Sequence, residues 1–113
     1  MGKFVVHKRF NGEYQFNLKA SNGQIILSSE GYITKGNCLN GIEAVKVNSK
    51  IDDRFDRKSS SNGKYYFNLN ASNGQIIGTS EMYETNSARE NGIQSVKVNA
   101  STALIDDLTL WAC

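Results

Sequence analysis

The chain has 113 residues, enough for one domain with one core and too few for a catalytic domain plus a separate regulatory one. Its ordinary apolar content argues against intrinsic disorder, and no apolar run reaches the roughly 18 residues a membrane helix needs. With 13 basic against 11 acidic side chains the net charge is +2, a solubility-level charge without the concentrated basic face of a dedicated nucleic-acid binder.

In chain order, the opening segment meets His7 and Lys8 after three apolar residues, which does not read as an export signal, so a cytoplasmic location is expected. Phe4 to Arg9 reads as a first strand, ended by Asn11-Gly12. Tyr14, Phe16, Leu18 and Ala20 alternate with Gln15, Asn17 and Lys19, the two-residue rhythm of a strand with one wet face. Asn22-Gly23 predicts a tight hairpin with positive φ at both turn residues. Gln24 to Ser29 then runs back, with Ala20 opposite Ile25 and Leu18 opposite Leu27. After that the rhythm turns helical, with Leu39, Ile42 and Val45 on one stripe and Thr34 or Asn37 as the cap. Gly41 falls mid-helix, where glycine costs about 1 kcal/mol relative to alanine, so a close approach of helix to sheet is expected. A short extended segment, Ile51 to Asp53, completes the unit.

Shifted by 51 positions, the sequence lies on itself. About 24 of the 38 positions from Asn11 to Asn48 match their counterparts, which marks an internal duplication. Phe55 stands where Phe4 does, and Asn62-Gly63 and Asn73-Gly74 repeat the turns. Ser87-x-x-Glu90 reads as a capping box, and Ile93, Val96 and Asn99, with Gly92 beside them, repeat the stripe. Leu104 to Leu108 is the second extended segment. Val47 and Val98 fit neither stripe. The cores are unequal at one place, where Leu27 is matched by Gly78.

The predicted class is α+β: two tandem β-β-β-α-β repeats, about 3–53 and 54–109, in one 1–113 domain. One antiparallel sheet carries both helices on one face, in pseudo-twofold array. The string Phe-Asn-Leu-x-Ala-x-Asn-Gly-Gln-Ile-Ile, then Ser-Glu-x-Tyr and Asn-Gly-Ile-x-x-Val-Lys, occurs twice and resembles the YegP-like family of small bacterial proteins. The resemblance runs from Lys3 to Thr109 and omits the tail Trp111-Ala112-Cys113. It implies that the two repeats share one sheet and exchange their terminal strands. It implies no activity, because the family is a domain of unknown function.

A search for chemistry leaves two candidate places. Glu30, Tyr32, Glu81 and Tyr83 follow the third strand of each copy and suggest a site where the copies meet, serving as an acid–base or cation site or as a ligand pocket. The plainer reading has each Glu serving the helix start and each Tyr covering the sheet edge. Gln15, Asn17 and Lys19, with Tyr66, Asn68 and Asn70, form an amide-rich wet face that suits a protein or a polar polymer. Nucleic acid fits that face less well, since stacking platforms use several aromatics and only Tyr66 qualifies. His7 is matched by Lys58, so no histidine site is duplicated, and Cys38 and Cys113 occupy unrelated places. No phosphate loop, metal spacing or cofactor motif occurs, so no cofactor, metal or membrane partner is expected. Two functions remain: a non-catalytic binding module acting as a monomer with an internal pseudo-dimer, or a small enzyme or ligand-binding protein with a pocket at the repeat junction.

Overall fold

The computed structural model describes residues 2–111. Its geometry starts from the turns. Ala20 accepts a hydrogen bond from the Gly23 N–H and donates its own to the Gln24 carbonyl, both at 2.9 Å. Arg9 to Glu13, Ser60 to Lys64 and Ala71 to Gln75 repeat this pattern. Only the glycines take positive φ, between 81 and 87° at Gly12, Gly23, Gly63 and Gly74, so each loop has three residues rather than the expected two. The reason lies in the asparagine side chain: Asn22 Oδ1 accepts from the Gln24 N–H at 3.0 Å, a local turn that holds Asn at negative φ. The longer loop moves the register. Leu18 faces Leu27, but Lys19 rather than Ala20 faces Ile25, with a bulge between them. The bulge adds Ile26, so consecutive residues Ile26 and Leu27 both enter the core.

The first repeat thus forms β1 (Lys3–Lys8), β2 (Tyr14–Lys19), β3 (Ile25–Ser28) and α1 (Lys35–Asn48). The second forms β4 (Phe55–Ser59), β5 (Tyr65–Asn70), β6 (Ile76–Thr79), α2 (Asn86–Ala100) and β7 (Leu104–Asp107). Thr34 and Thr85 cap the helices, accepting from the Asn37 and Ala88 N–H groups at 3.1 and 3.0 Å. The Ser87 capping box does not form: Ser87 lies inside α2, and Glu90 binds the distant Arg57 Nε through both oxygens at 3.0 Å. Val47 and Val98 point to solvent, 62% and 63% exposed, which accounts for their misfit.

All seven strands make one sheet, in the order β4-β5-β6-β3-β2-β1-β7. The halves join where Ser28 pairs with Thr79, two residues that are each other's counterpart, so the pseudo-twofold passes between them. Both helices cover one face, and each lies across strands of both repeats: α1 on β2, β5 and β6, α2 on β2, β3 and β5. The core beneath joins Phe4, Phe16, Phe55 and Phe67 with Ile42, Val45, Ile93 and Val96, each side chain contributing about 1.5–3 kcal/mol through burial. At the axis one leucine serves both halves. A Cβ at Gly78 would lie 2.7 Å from the Leu27 side chain, so Leu27 fills the space of its own counterpart.

The sheet departs from the expected all-antiparallel array at one pairing. β7 runs parallel to β1, placing Phe4 opposite Ile105 and Val6 opposite Asp107. Its reciprocal is missing: Ile51 to Asp53, predicted extended, caps and opens a 3-10 turn at Asp52–Arg54 that leads straight into β4. The terminal strand is therefore passed one way only. Burial raises the Asp107 pKa, but hydrogen bonds from Thr109 and Lys35 outweigh it and hold the carboxyl below its ordinary value. The Lys35 ammonium sits 2.9 Å away and ties β7 to α1.

Candidate functional site

The serine and the tyrosine of the Ser-Glu-x-Tyr motif each have a structural duty in both copies. Ser29 Oγ accepts from the Phe16 N–H at 2.9 Å and donates to the Glu30 carbonyl, carrying the strand ladder past the end of β3. Ser80 does the same for Phe67. The backbones of Tyr14 and Tyr32 exchange two hydrogen bonds at 2.7 Å, and the Tyr32 ring lies 6.3 Å from Phe16 at 13°, a stacked pair. Tyr83 stacks on Phe67 at 6.5 Å and 8°. Each phenol then fills the notch left by a helix glycine: a Cβ at Gly41 would stand 2.5 Å from Tyr32 Oη, and one at Gly92 would stand 2.6 Å from Tyr83 Cζ. The close approach expected at these glycines is thus to a tyrosine held on the sheet.

The glutamates have no such duty. They stand four residues before the cap, and neither helix has an acid in its first turn, so the helix-start role is not filled. The other four glutamates each meet a base, Glu13 with Arg9, Glu43 with Lys46, Glu84 with Lys64 and Glu90 with Arg57. Among the described residues Glu30 and Glu81 meet none, and both are exposed.

The four junction residues do not converge on one pocket. Glu30 and Tyr32 line a cleft of about 420 Å³ with Asn40 and Gly41 of α1, closed from the other repeat by Ala71, Gln75 and Ile76. Glu81 and Tyr83 line a hollow of about 500 Å³ with Gln24 and Ile25, and Gln24, Ile26 and Tyr83 also line a neighbouring one of about 220 Å³ against Asn91 and Gly92. The two clefts are counterparts, each built from the glutamate, tyrosine and helix of one repeat and the hairpin of the other. Splitting follows from the β3–β6 join, which carries each hairpin under the opposite helix. Burial pushes both phenols above their ordinary pKa, with Cys38 and Glu30 adding at Tyr32 and Glu81 at Tyr83, so both remain hydrogen-bond donors at neutral pH.

The amide face is largely engaged with itself. Register aligns Asp56, Asn68, Thr79, Ser28, Asn17, Val5 and Asp106 in one row across all seven strands. Gln15 accepts from Arg9 Nε at 2.9 Å and donates to the Ser29 carbonyl at 3.0 Å, and Asn17 meets His7 Nε2 at 3.3 Å. Asn68, expected in water, is 6% exposed, because its amide turns sideways to accept from Thr79 Oγ1 on the adjoining strand. Asn70 Oδ1 is buried without a hydrogen-bond partner among the described residues, while Lys19 and Tyr66 are half-buried. Cys38 lies in the core, where burial pushes its thiol pKa up to about 11, and His7 lies on the opposite face, so the two do not pair. Cys113 falls outside the described residues. Among those described, no group of three His, Cys, Asp or Glu gathers as metal ligands, and no helix is long and apolar enough to cross a membrane.

A family model for a domain of unknown function, DUF1508, matches residues 11–56 and 60–107, once per repeat. The chain belongs to the DUF1508 family. A UPF0339 protein of Shewanella oneidensis is 49% identical over 108 residues, covering 96% of this chain and 98% of the relative. The UPF0339 protein YegP of Escherichia coli O6:H1 is 47% identical over 108 residues, covering 96% and 98%. Two solution NMR structures share the fold. YegP from E. coli has a TM-score of 0.91 at 46% identity, over 95% of this chain and 92% of that one. The S. oneidensis UPF0339 protein has a TM-score of 0.93 at 49% identity, over 98% and 94%. The DUF1508 assignment settles the duplicated α+β fold and leaves function unknown, so the clefts must speak through their own chemistry.

Proposed function

We propose that this chain is a non-catalytic binding module of the cytoplasm, a single domain whose two pseudo-equivalent clefts take a polar group of a protein or small molecule. It acts as a monomer with an internal pseudo-dimer. The observation that carries the reading is the pair Glu30 and Glu81, kept identical in both copies although neither carboxylate makes a hydrogen bond or ion pair among the described residues. Exposed Asn40 and Asn91, and Gln24 and Gln75, are likewise identical and line the same clefts. An enzyme using paired carboxylates finds less support, because each cleft holds a single carboxylate. The amide face is a weaker candidate, since Gln15, Asn17 and Asn68 spend their amides inside the sheet.

The test is a mixture of small polar fragments, cationic, neutral and anionic, added to the ¹⁵N-labelled chain. Backbone resonances of Gly41 and Gly92, at the floors of the two clefts, should move together in at least one mixture. Resonances that stay still in every mixture, or move only on the amide face, would remove the clefts as the site.

A further inference from the structure

We infer that each cleft selects an alkylammonium group, an inference that rests on the binding reading above. Among the described residues the only charged one lining either cleft is its glutamate, with no lysine or arginine on any wall. A neutral ligand covering Glu30 or Glu81 would desolvate a carboxylate without compensation, and an anion would add repulsion; a cation offsets the cost. The remaining polar groups suit three N–H donors: a carboxylate, a phenol oxygen, and the amide oxygens of Asn40 and Gln75 in one cleft or Asn91 and Gln24 in the other. One carboxylate among amides falls short of the six to eight oxygens that calcium takes, which favours an organic cation over a metal. Beside these groups Ala71 and Ile76, or Ala20 and Ile25, give an apolar wall for a short aliphatic stem. The helix starts do not compete as anion sites within the clefts, since Thr34 and Thr85 already cap them.

Butylammonium and 1-butanol, equal in length and differing in charge, separate the possibilities on the full chain at fixed ionic strength. Butylammonium should shift the Gly41 and Gly92 amides, and butanol should do so about tenfold more weakly, the worth of one charge-assisted hydrogen bond. Glu30→Gln should abolish the response at Gly41 and leave that at Gly92, and Glu81→Gln the reverse, with unchanged Tm showing that both variants fold. Equal shifts with butanol would overturn the selection of charge while leaving the clefts as binding sites. Shifts with neutral or anionic fragments alone would do the same, whereas silence with every fragment would end the binding reading itself. A Gly41 response that survives Glu30→Gln would also overturn the inference. Nα-acetyl-lysine amide and 1,4-diaminobutane carry the same group, and the tighter of the two identifies a peptide or a free amine as its source.

Discussion

β1 and β4 occupy equivalent places and begin alike, yet their neighbours make them different strands. Phe4 and Phe55 are both buried and both meet a β-strand phenylalanine edge-on, at 5.8 and 5.7 Å. A lysine from the helix covers each, Lys46 and Lys97. After that the sequences part. β1 lies between β2 and β7, and Val5 and Val6 are 7% and 0% exposed. β4 has a neighbour on one side only, and its matching residues are Asp56 and Arg57. Arg57 reaches Glu90, which stands where α1 has Leu39, and Asp52, which stands where repeat two has the buried Ala103. One backbone slot thus carries an apolar contact where a strand covers it and an ion network where water reaches it. The charges on β4 also keep that open edge from pairing with another chain.

The sharpest way to break this comparison is to exchange the two residues. Val6→Arg would bury a charge between β2 and β7 and should cost about 3–5 kcal/mol in urea unfolding, whereas Arg57→Val loses exposed ion pairs and should cost under about 1 kcal/mol. Similar losses from both would show that β7 does not seal β1.

The axis offers a second exchange. Leu27→Ala should cost about 2–5 kcal/mol through the cavity it leaves, and Gly78→Leu about 1–3 kcal/mol through overpacking. The double variant Leu27→Gly/Gly78→Leu should be more stable than the sum of its single changes predicts, since either copy can supply the leucine. Strict additivity in thermal unfolding would refute a shared space.

Smaller effects sharpen the likeness of the helices. Gly92→Ala should destabilise by about 1–3 kcal/mol despite alanine's better helix propensity, and adding Tyr83→Phe should recover part of the loss. A stabilised Gly92→Ala variant would mean that the ring moves aside freely.

Asp107→Asn should cost about 1–2 kcal/mol at neutral pH. Because the folded pKa lies below the ordinary carboxylate value of about 3.9, this stabilisation is complete above that value and vanishes as pH falls through the folded pKa. The wild-type chain should therefore lose more stability than the variant over that acid range. Identical acid slopes would show that Asp107 is not what holds β7.

The duplication, the meander and the tyrosine and glycine positions were legible because they are local patterns repeated at a fixed distance. What escaped was set by longer reach. Glu90 looks like a capping partner for Ser87 until Arg57, 33 residues away, is brought beside it. The Asn-Gly pairs looked like two-residue turns because that dipeptide usually carries positive φ twice, and the Asn side chain's bond to the next backbone amide reverses the first. The paired glutamates stand out in the sequence, but their division between two clefts depends on which strands join at the centre. The tripeptide Ile-Asp-Asp occurs at 51–53 as the entry to a turn and at 105–107 as strand. Two residues separate it from Asn48 in the first case and five from Asn99 in the second. Three further residues add about 10 Å of reach, enough to cross to a new edge.

The β1–β7 pairing also has a bearing on synthesis. The strand made first takes its outer partner from residues 104–107, so the earlier repeat is the later one to be completed. While the second repeat is being made, the outer edge of Phe4, Val5 and Val6 lies open to any extended segment nearby. A chain stopped just before Leu104 would carry both helices, six strands and every residue named in the two clefts, and would still expose that apolar edge. Its defect would be a tendency to associate rather than a loss of its sites.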